Sequence, residues 1–265
     1  MSQTSPFDGL ARDYDRSFTN SAIGERMRAA TWRRLDAVFR RSDRVLELNC
    51  GTGEDAVHLG RRGVHVLATD ASAEMVALTR AKAALAGLPD LIEVRQLRIE
   101  SLAELQGGHQ FDGALSNFGG LNCVEDLAAA ASGLAAVLRP GARAILCVMG
   151  PTVPWEWAWY LAHGEPRKAF RRLRAPGTPW RGLTIRYPTI GHVRRAFHPY
   201  FQQTRVSAVG ALVPPSYAGG WAERHPRLLE ALVRWERRVE TLPPFPWLAD
   251  HFLIELERTH APHCA

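Results

Sequence analysis

Five residues in one short stretch have the types and spacing that a nucleotide site needs: Glu47, Asn49, Gly51, Gly53 and Asp70. Two glycines one residue apart let the backbone turn tightly and approach a ligand. An acid about twenty residues further on can accept hydrogen bonds from both hydroxyls of a ribose. Glu47, Glu54 and Asp55 add negative charge to the same loop. A loop that holds a pyrophosphate has little use for such acids, whereas a cationic ligand is drawn to them. The string Gly51-Thr52-Gly53-Glu54-Asp55-Ala56 also satisfies G-x-G-x-x-G/A, so a nicotinamide or flavin nucleotide must be weighed too.

These residues meet only if strands and helices alternate around them. Arg44 to Asn49 reads as a buried strand, and Glu54 to Arg62 as a helix with Gly63 as its C-cap. Val64 to Thr69 is a second strand ending on Asp70. Ser72 can cap a helix from Ala73 to Ala86, which Gly87-Leu88-Pro89 stops. Ile92 to Leu97, Phe111 to Ser116 and Ala142 to Met149 are further strands, with an Ala-rich helix from Glu125 to Leu138 before the last of them. A helix from Thr19 to Arg41 precedes the whole. Such alternation implies a parallel sheet with helices on both faces.

After Pro151 the chain becomes rich in Trp, Pro, Gly and Arg. It includes one expected helix, Trp155 to Arg172. Arg205 to Val213 and His251 to Glu257 read as late strands around a helix from His225 to Thr241. The expected fold is α/β: a Rossmann-like, doubly wound, seven-stranded sheet, mostly parallel with an antiparallel late strand, plus a lid insertion. Residues 1–265 then form one domain. It comprises an N-terminal helical cap (1–42), a nucleotide-binding core (43–150), a lid or substrate insertion (151–200) and closing strands and helix (201–258).

Composition supports a globular chain: 46% of the 265 residues are hydrophobic and 23% charged. The net charge of +6 comes largely from arginines between Arg167 and Arg205. No nucleic-acid motif accompanies them, so a nucleic-acid partner is disfavoured. The run Arg167 to Arg174 is instead a candidate for peripheral contact with anionic lipid. The cysteines, Cys50, Cys123, Cys147 and Cys264, form no C-x-x-C pair and have no histidines at metal spacing. No metal site is expected, and a reducing cytoplasm is. The first residues lack a basic-then-apolar signal, and the longest apolar runs are interrupted, so no transmembrane segment is expected.

Three segments resemble class I S-adenosylmethionine-dependent methyltransferases of the small-molecule type. Glu47-Leu48-Asn49-Cys50-Gly51-Thr52-Gly53 resembles their E-x-G-x-G-x-G loop, with Asn49 in place of the first glycine. Leu138-Arg139-Pro140-Gly141 resembles the turn before their fifth strand. Ala11-Arg12-Asp13-Tyr14-Asp15 resembles their A-x-x-Y-D segment. The resemblance runs from about Phe7 to Arg258.

It implies S-adenosyl-L-methionine as cofactor, with Asp70 on the ribose and Ala71 beside it. Gly51 and Gly53 would pass beneath the methionine part, and Glu47 would bind the loop or, through water, the ammonium. Ile99 would pack on the adenine, near Arg98, which replaces the usual acid. Ser116 and Asn117 would line the methionine end, and Tyr14 would close over it. Arg28 could pair with the cofactor carboxylate, although a solvated helix face is the simpler account.

The implied reaction is in-line methyl transfer to a small-molecule acceptor, apolar or aromatic. Trp155, Trp157, Trp159 and Tyr160 are candidates for the acceptor wall, and His163, His192 and His198 for a general base. Ser116-Asn117-Phe118-Gly119 is not N-P-P-Y, which disfavours the adenine and glutamine amino groups as acceptors. Three rival readings stand beside this one. They are an NAD(P)-dependent oxidoreductase, an S-adenosylmethionine-binding protein without catalysis, and an RNA or protein methyltransferase.

Overall fold

A computed structural model describes residues 6, 7, 9, 19–105 and 111–259. Tyr14 and its Ala11–Asp15 segment lie outside these residues, as does Cys264.

Helix α1 (Ala22–Val38) starts where the Ser21 hydroxyl accepts the Gly24 N–H at 3.0 Å. It buries Ile23, Met27 and Leu35, one side of its surface, against the sheet. Strands and helices then alternate strictly: β1 (Arg44–Glu47), α2 (Glu54–Arg61), β2 (His65–Asp70), α3 (Ala73–Leu85) and β3 (Ile92–Gln96). Then come β4 (Phe111–Ser116), α4 (Leu127–Val137) and β5 (Leu138–Met149). Val45, Leu46, Leu67, Ala68, Ala114 and Leu115 are all buried, as strands covered on both faces must be.

The seven-stranded sheet has the order β3-β2-β1-β4-β5-β9-β8. The first five strands are parallel, whereas β9 (His251–Arg258) runs antiparallel to both β5 and β8 (Phe201–Val209). The strand order reverses between β1 and β4, so the crevice beyond their carboxyl ends is the place for a ligand. An antiparallel late strand was expected, and the structure places it at β9, the strand that opens on His251-Phe252-Leu253-Ile254.

The insertion departs from expectation. One helix over 155–172 is replaced by α5 (Pro154–Ala162), a one-turn α6 (Pro166–Ala169) and a 3₁₀ turn at Arg171–Leu173. Pro166 has no N–H to continue the helix and can only begin a new one, so the apolar periodicity is cut there. A small hairpin, β6 (Thr178–Trp180) with β7 (Leu183–Ile185), follows, and α7 (Ile190–Phe197) leads into β8. Helices α8 (Gly219–Arg224) and α9 (Pro226–Val239) separate β8 from β9.

Candidate active site

A cavity of about 410 Å³ opens at the carboxyl ends of β1, β2 and β4. Asn49, Gly51, Asp70, Ala71, Ile99 and Asn117 line it, six of the ten residues expected to hold a cofactor. Glu47, Gly53 and Ser116 are not in its lining; Glu47 and Ser116 are buried, at 1% exposure each.

Asp70 ends β2 with its carboxylate turned back over the loop. One oxygen accepts the Gly51 N–H at 3.0 Å and the other the Ser72 N–H at 2.9 Å. The cap of α3 is Ser72 and not Asp70: the Ser72 hydroxyl accepts the Met75 N–H. Gly53 has φ +84°, and a Cβ there would lie 2.7 Å from the Thr79 methyl, so this position admits glycine alone. Thr79 is itself tied to the loop, donating to the Gly51 carbonyl at 2.9 Å.

Asn49 has a structural reason to replace glycine. Its amide donates to the Asn117 carbonyl at 2.6 Å, and its carbonyl oxygen accepts from the Ser116 hydroxyl. The side chain thus ties the β1 loop to the β4 loop across the crevice. Gly120 makes room for it, since a Cβ there would sit 2.2 Å from Asn49 Cγ.

Two of the three acids near the loop have cationic partners. Asp55 is buried and compensated: it accepts from Trp32 at 2.6 Å and Asn117 at 3.0 Å, and pairs with Arg28 at 2.9 Å. Glu54 pairs with Lys82. The acid without such partners is Glu47, and neither of its buried carboxylate oxygens has a hydrogen-bond partner. Burial raises its pKa well above the usual carboxylate value, Asp55 and Asp70 add to this, and Arg28 opposes it. Arg28 is not on a solvated face. It is 7% exposed, lines the cavity and lies 5.0 Å over the Phe118 ring.

The cavity lining also includes the apolar side chains Phe7, Phe118, Val124 and Leu183, with Gly119 and Gly120. The tryptophans expected there lie elsewhere. Trp155 donates to the Leu212 carbonyl and packs on Trp221, Trp157 packs on Phe170, and Trp159 and Tyr160 both meet Tyr217. His192 and His198 are exposed on and just after α7. His163 is exposed as well and stacks on Trp159. None of the three lines the cavity.

A histidine that does reach a cavity residue is His251, which sequence reading passed over as an ordinary strand position. It is 6% exposed, and its ring meets Phe118 edge-on at 5.5 Å. Its Nδ1 lies 3.3 Å from the Asp250 carboxylate, which Arg172 holds at 2.5 Å. Arg172 also binds Glu156 at 2.8 Å. These four side chains come from three separate segments, so no local motif could have announced them.

Fold and crevice together define a doubly wound α/β protein with a ligand crevice at its topological switch point. A family model described as a methyltransferase domain matches residues 45–141. The demethylmenaquinone methyltransferase of Mycobacterium marinum is 31% identical over 172 residues, which are 62% of this chain and 68% of that protein. The demethylmenaquinone methyltransferase of Beutenbergia cavernae is 36% identical over 152 residues, covering 56% of this chain and 58% of that one. A solved S-adenosylmethionine-dependent methyltransferase from Mesorhizobium loti shares the fold, with TM-score 0.55, 21% identity, 86% of this chain and 98% of that one covered.

The chain belongs to the class I S-adenosylmethionine-dependent methyltransferases. It is an enzyme that transfers a methyl group from S-adenosylmethionine to a small-molecule acceptor, which sets aside the oxidoreductase and non-catalytic readings. Among the described residues, no helix is long and apolar enough to cross a membrane.

Proposed function

We propose that the acceptor is an apolar or aromatic small molecule with an ionisable hydroxyl, of the quinol type, and that residues 151–200 form the lid over it. The observation that carries this reading is the apolar part of the cavity lining, Phe7, Phe118, Val124 and Leu183, which shares the cavity with Asn117. Such walls exclude water and favour a flat or hydrocarbon acceptor. The relatives named demethylmenaquinone methyltransferases support the same class.

S-adenosylmethionine supplies a methyl carbon already activated by its sulfonium, so the chain has to align, desolvate and, for a hydroxylated acceptor, remove a proton. In this reading Asp70 holds the ribose, with Ala71 and Ile99 beside the adenine. Asn49, Gly51 and Asn117 shape the methionine end, and Gly53 and Ser116 support them from below. Tyr14 belongs to the same proposal as a closing residue. The buried, unpartnered Glu47 carboxylate beneath the loop fits a ligand that carries an ammonium.

The test is transfer of labelled methyl to a set of acceptors: a prenylated naphthoquinol, a simple phenol, geranyl diphosphate and glycine. Label in the naphthoquinol or phenol is expected. Label confined to glycine would sink the reading.

Glu47 gives a second expectation, about pH. A carboxyl whose pKa is raised in the folded protein binds more protons folded than unfolded. The cofactor-free protein therefore loses stability as pH rises through that range. A cation bound above the loop favours the ionised form, so binding releases a proton. Affinity for S-adenosylhomocysteine is expected to rise with pH until Glu47 is fully ionised. Calorimetry in buffers of different ionisation heat measures the proton. Glu47→Gln is expected to abolish its release and to stabilise the free protein near neutral pH. Proton release unchanged in that variant would exclude Glu47.

A further inference from the structure

Helix α9 (Pro226–Val239) carries more apolar surface than its packing uses. Its inner face is clear: Leu229 is buried, Val233 packs on the core, and the buried Glu236 carboxylate accepts the N–H groups of Gly210, Leu212 and Val213 at 2.7–2.9 Å. A second stripe, Leu228, Leu232, Trp235, Val239 and Leu242, alternates spacings of four and three residues and so shares one side of the helix. The turn continues to Leu242, whose N–H donates to the Val239 carbonyl. Leu228, Trp235 and Leu242 are 49%, 57% and 51% exposed, and Trp247 just beyond is 50% exposed. Among the described residues, half of the large exposed apolar side chains thus fall between 228 and 247. Clustering of this kind, unlike scattered apolar residues, marks a binding face.

Charge says what covers it. Arg227, Arg234 and Arg238 lie along the stripe at spacings of seven and four, and the Arg238 guanidinium sits 4.9 Å over the Trp235 ring. The acids of this segment are already engaged: Glu230 by Arg26, Glu236 by the backbone, Glu240 by Arg33 and Arg205. Among the described residues, Arg227, Arg234, Arg237 and Arg238 make no ion pair within 4.0 Å. A second copy of the chain on this face would set arginines against arginines. An anionic lipid surface complements both features, taking the tryptophans at its interface and the arginines at its headgroups.

The run Arg167–Arg174, which the sequence suggested for this role, is less suited. Arg172 is buried, Arg171 pairs with Glu156, and Lys168 pairs with Glu165. We infer that α9 and the turn to Trp247 form a peripheral docking face for anionic membranes, with the helix lying in the plane of the interface. This inference stands independently of the acceptor.

Co-sedimentation with vesicles of phosphatidylcholine, with and without phosphatidylglycerol, tests it. Wild-type protein is expected to bind the mixed vesicles, weakly or not at all the neutral ones, and less at high salt. Arg234→Glu with Arg238→Glu should lower partitioning at least about tenfold, at roughly 1 kcal/mol per arginine near the surface. Trp235→Ser with Leu242→Ser should do likewise, and Arg167→Glu with Lys168→Glu should not. All three pairs are exposed, so unchanged melting and S-adenosylhomocysteine affinity would establish that they fold. Failure of the wild type to bind mixed vesicles overturns the inference, as does loss of binding in the 167/168 pair alone. A dimer in sedimentation velocity that the 235/242 pair dissolves, without vesicle binding, would assign the face to a second copy instead.

Discussion

Asp70→Ala is expected to weaken S-adenosylhomocysteine binding roughly hundredfold or more. A carboxylate that takes two hydroxyl hydrogen bonds contributes about 1.5–3 kcal/mol through each, because both are charge-assisted. Losing them also strands the ribose hydroxyls in a part-buried site. The variant has a second effect that must be separated from the first. Asp70 accepts the N–H groups of Gly51 and Ser72, so alanine also loosens the turn and the start of α3. Asp70→Asn keeps one strong acceptor and most of the shape, and should fall between wild type and alanine in affinity while melting close to wild type. Calorimetry with S-adenosylhomocysteine and thermal unfolding, run on both variants, distinguish the roles. Near-normal affinity in a protein that melts earlier would leave Asp70 as a loop support and remove the ribose assignment.

That prediction was open to sequence reading because each step of it is local. A strand, a two-glycine turn, a helix and a second strand ending in an acid are written in consecutive residues, and backbone geometry does the rest. The seven-stranded, mostly parallel sheet with an antiparallel late strand was legible in the same way, from the alternation of elements. What sequence reading lost was non-local. Asn49 looked like an unexplained departure from glycine until its bonds to Ser116 and Asn117 placed it across the crevice, opposite a glycine that makes room for it. Glu54 and Asp55 looked like a field for a cation, yet Lys82 and Arg28 cancel them and leave Glu47. The tryptophans of α5 had the right chemistry for an acceptor wall and the wrong place. Pro166 cuts the expected helix, and the aromatic side chains pack on Tyr217, Trp221 and Phe170. The histidines of the insertion were chosen by position in sequence, whereas His251, at least 53 residues beyond His163, His192 and His198, could be found only through the sheet that sets it beside Phe118.

The buried charges behind Phe118 carry the other large effect. Arg172→Met is expected to destabilise the protein by about 3–5 kcal/mol near neutral pH, because it leaves Glu156 and Asp250 buried without their shared cation. Burial alone would raise the Asp250 pKa; Arg172, with His251, outweighs it and holds the carboxyl well below its usual value. A depressed folded pKa contributes stability that is present above the unfolded value, near 4, and is lost as pH falls further. In the variant the balance reverses. Asp250 is then governed by burial, its pKa rises, and protonation relieves the unpaired charge. The stability deficit should therefore shrink from pH 7 to pH 5, where wild-type stability scarcely changes on this account. Glu156→Gln, Arg172→Met and Asp250→Asn together should recover much of the loss, since no buried ion remains. Arg172 also donates to the Gly150 carbonyl after β5, and so fastens the insertion that carries it to the sheet. Under the proposed reading, methyl transfer should fall in Arg172→Met while S-adenosylhomocysteine affinity, assigned there to Asp70 and the glycine loop, is retained. Denaturant unfolding across pH measures the first effect and calorimetry the second. A deficit that is small or independent of pH would mean that the four side chains are not acting as one buried unit.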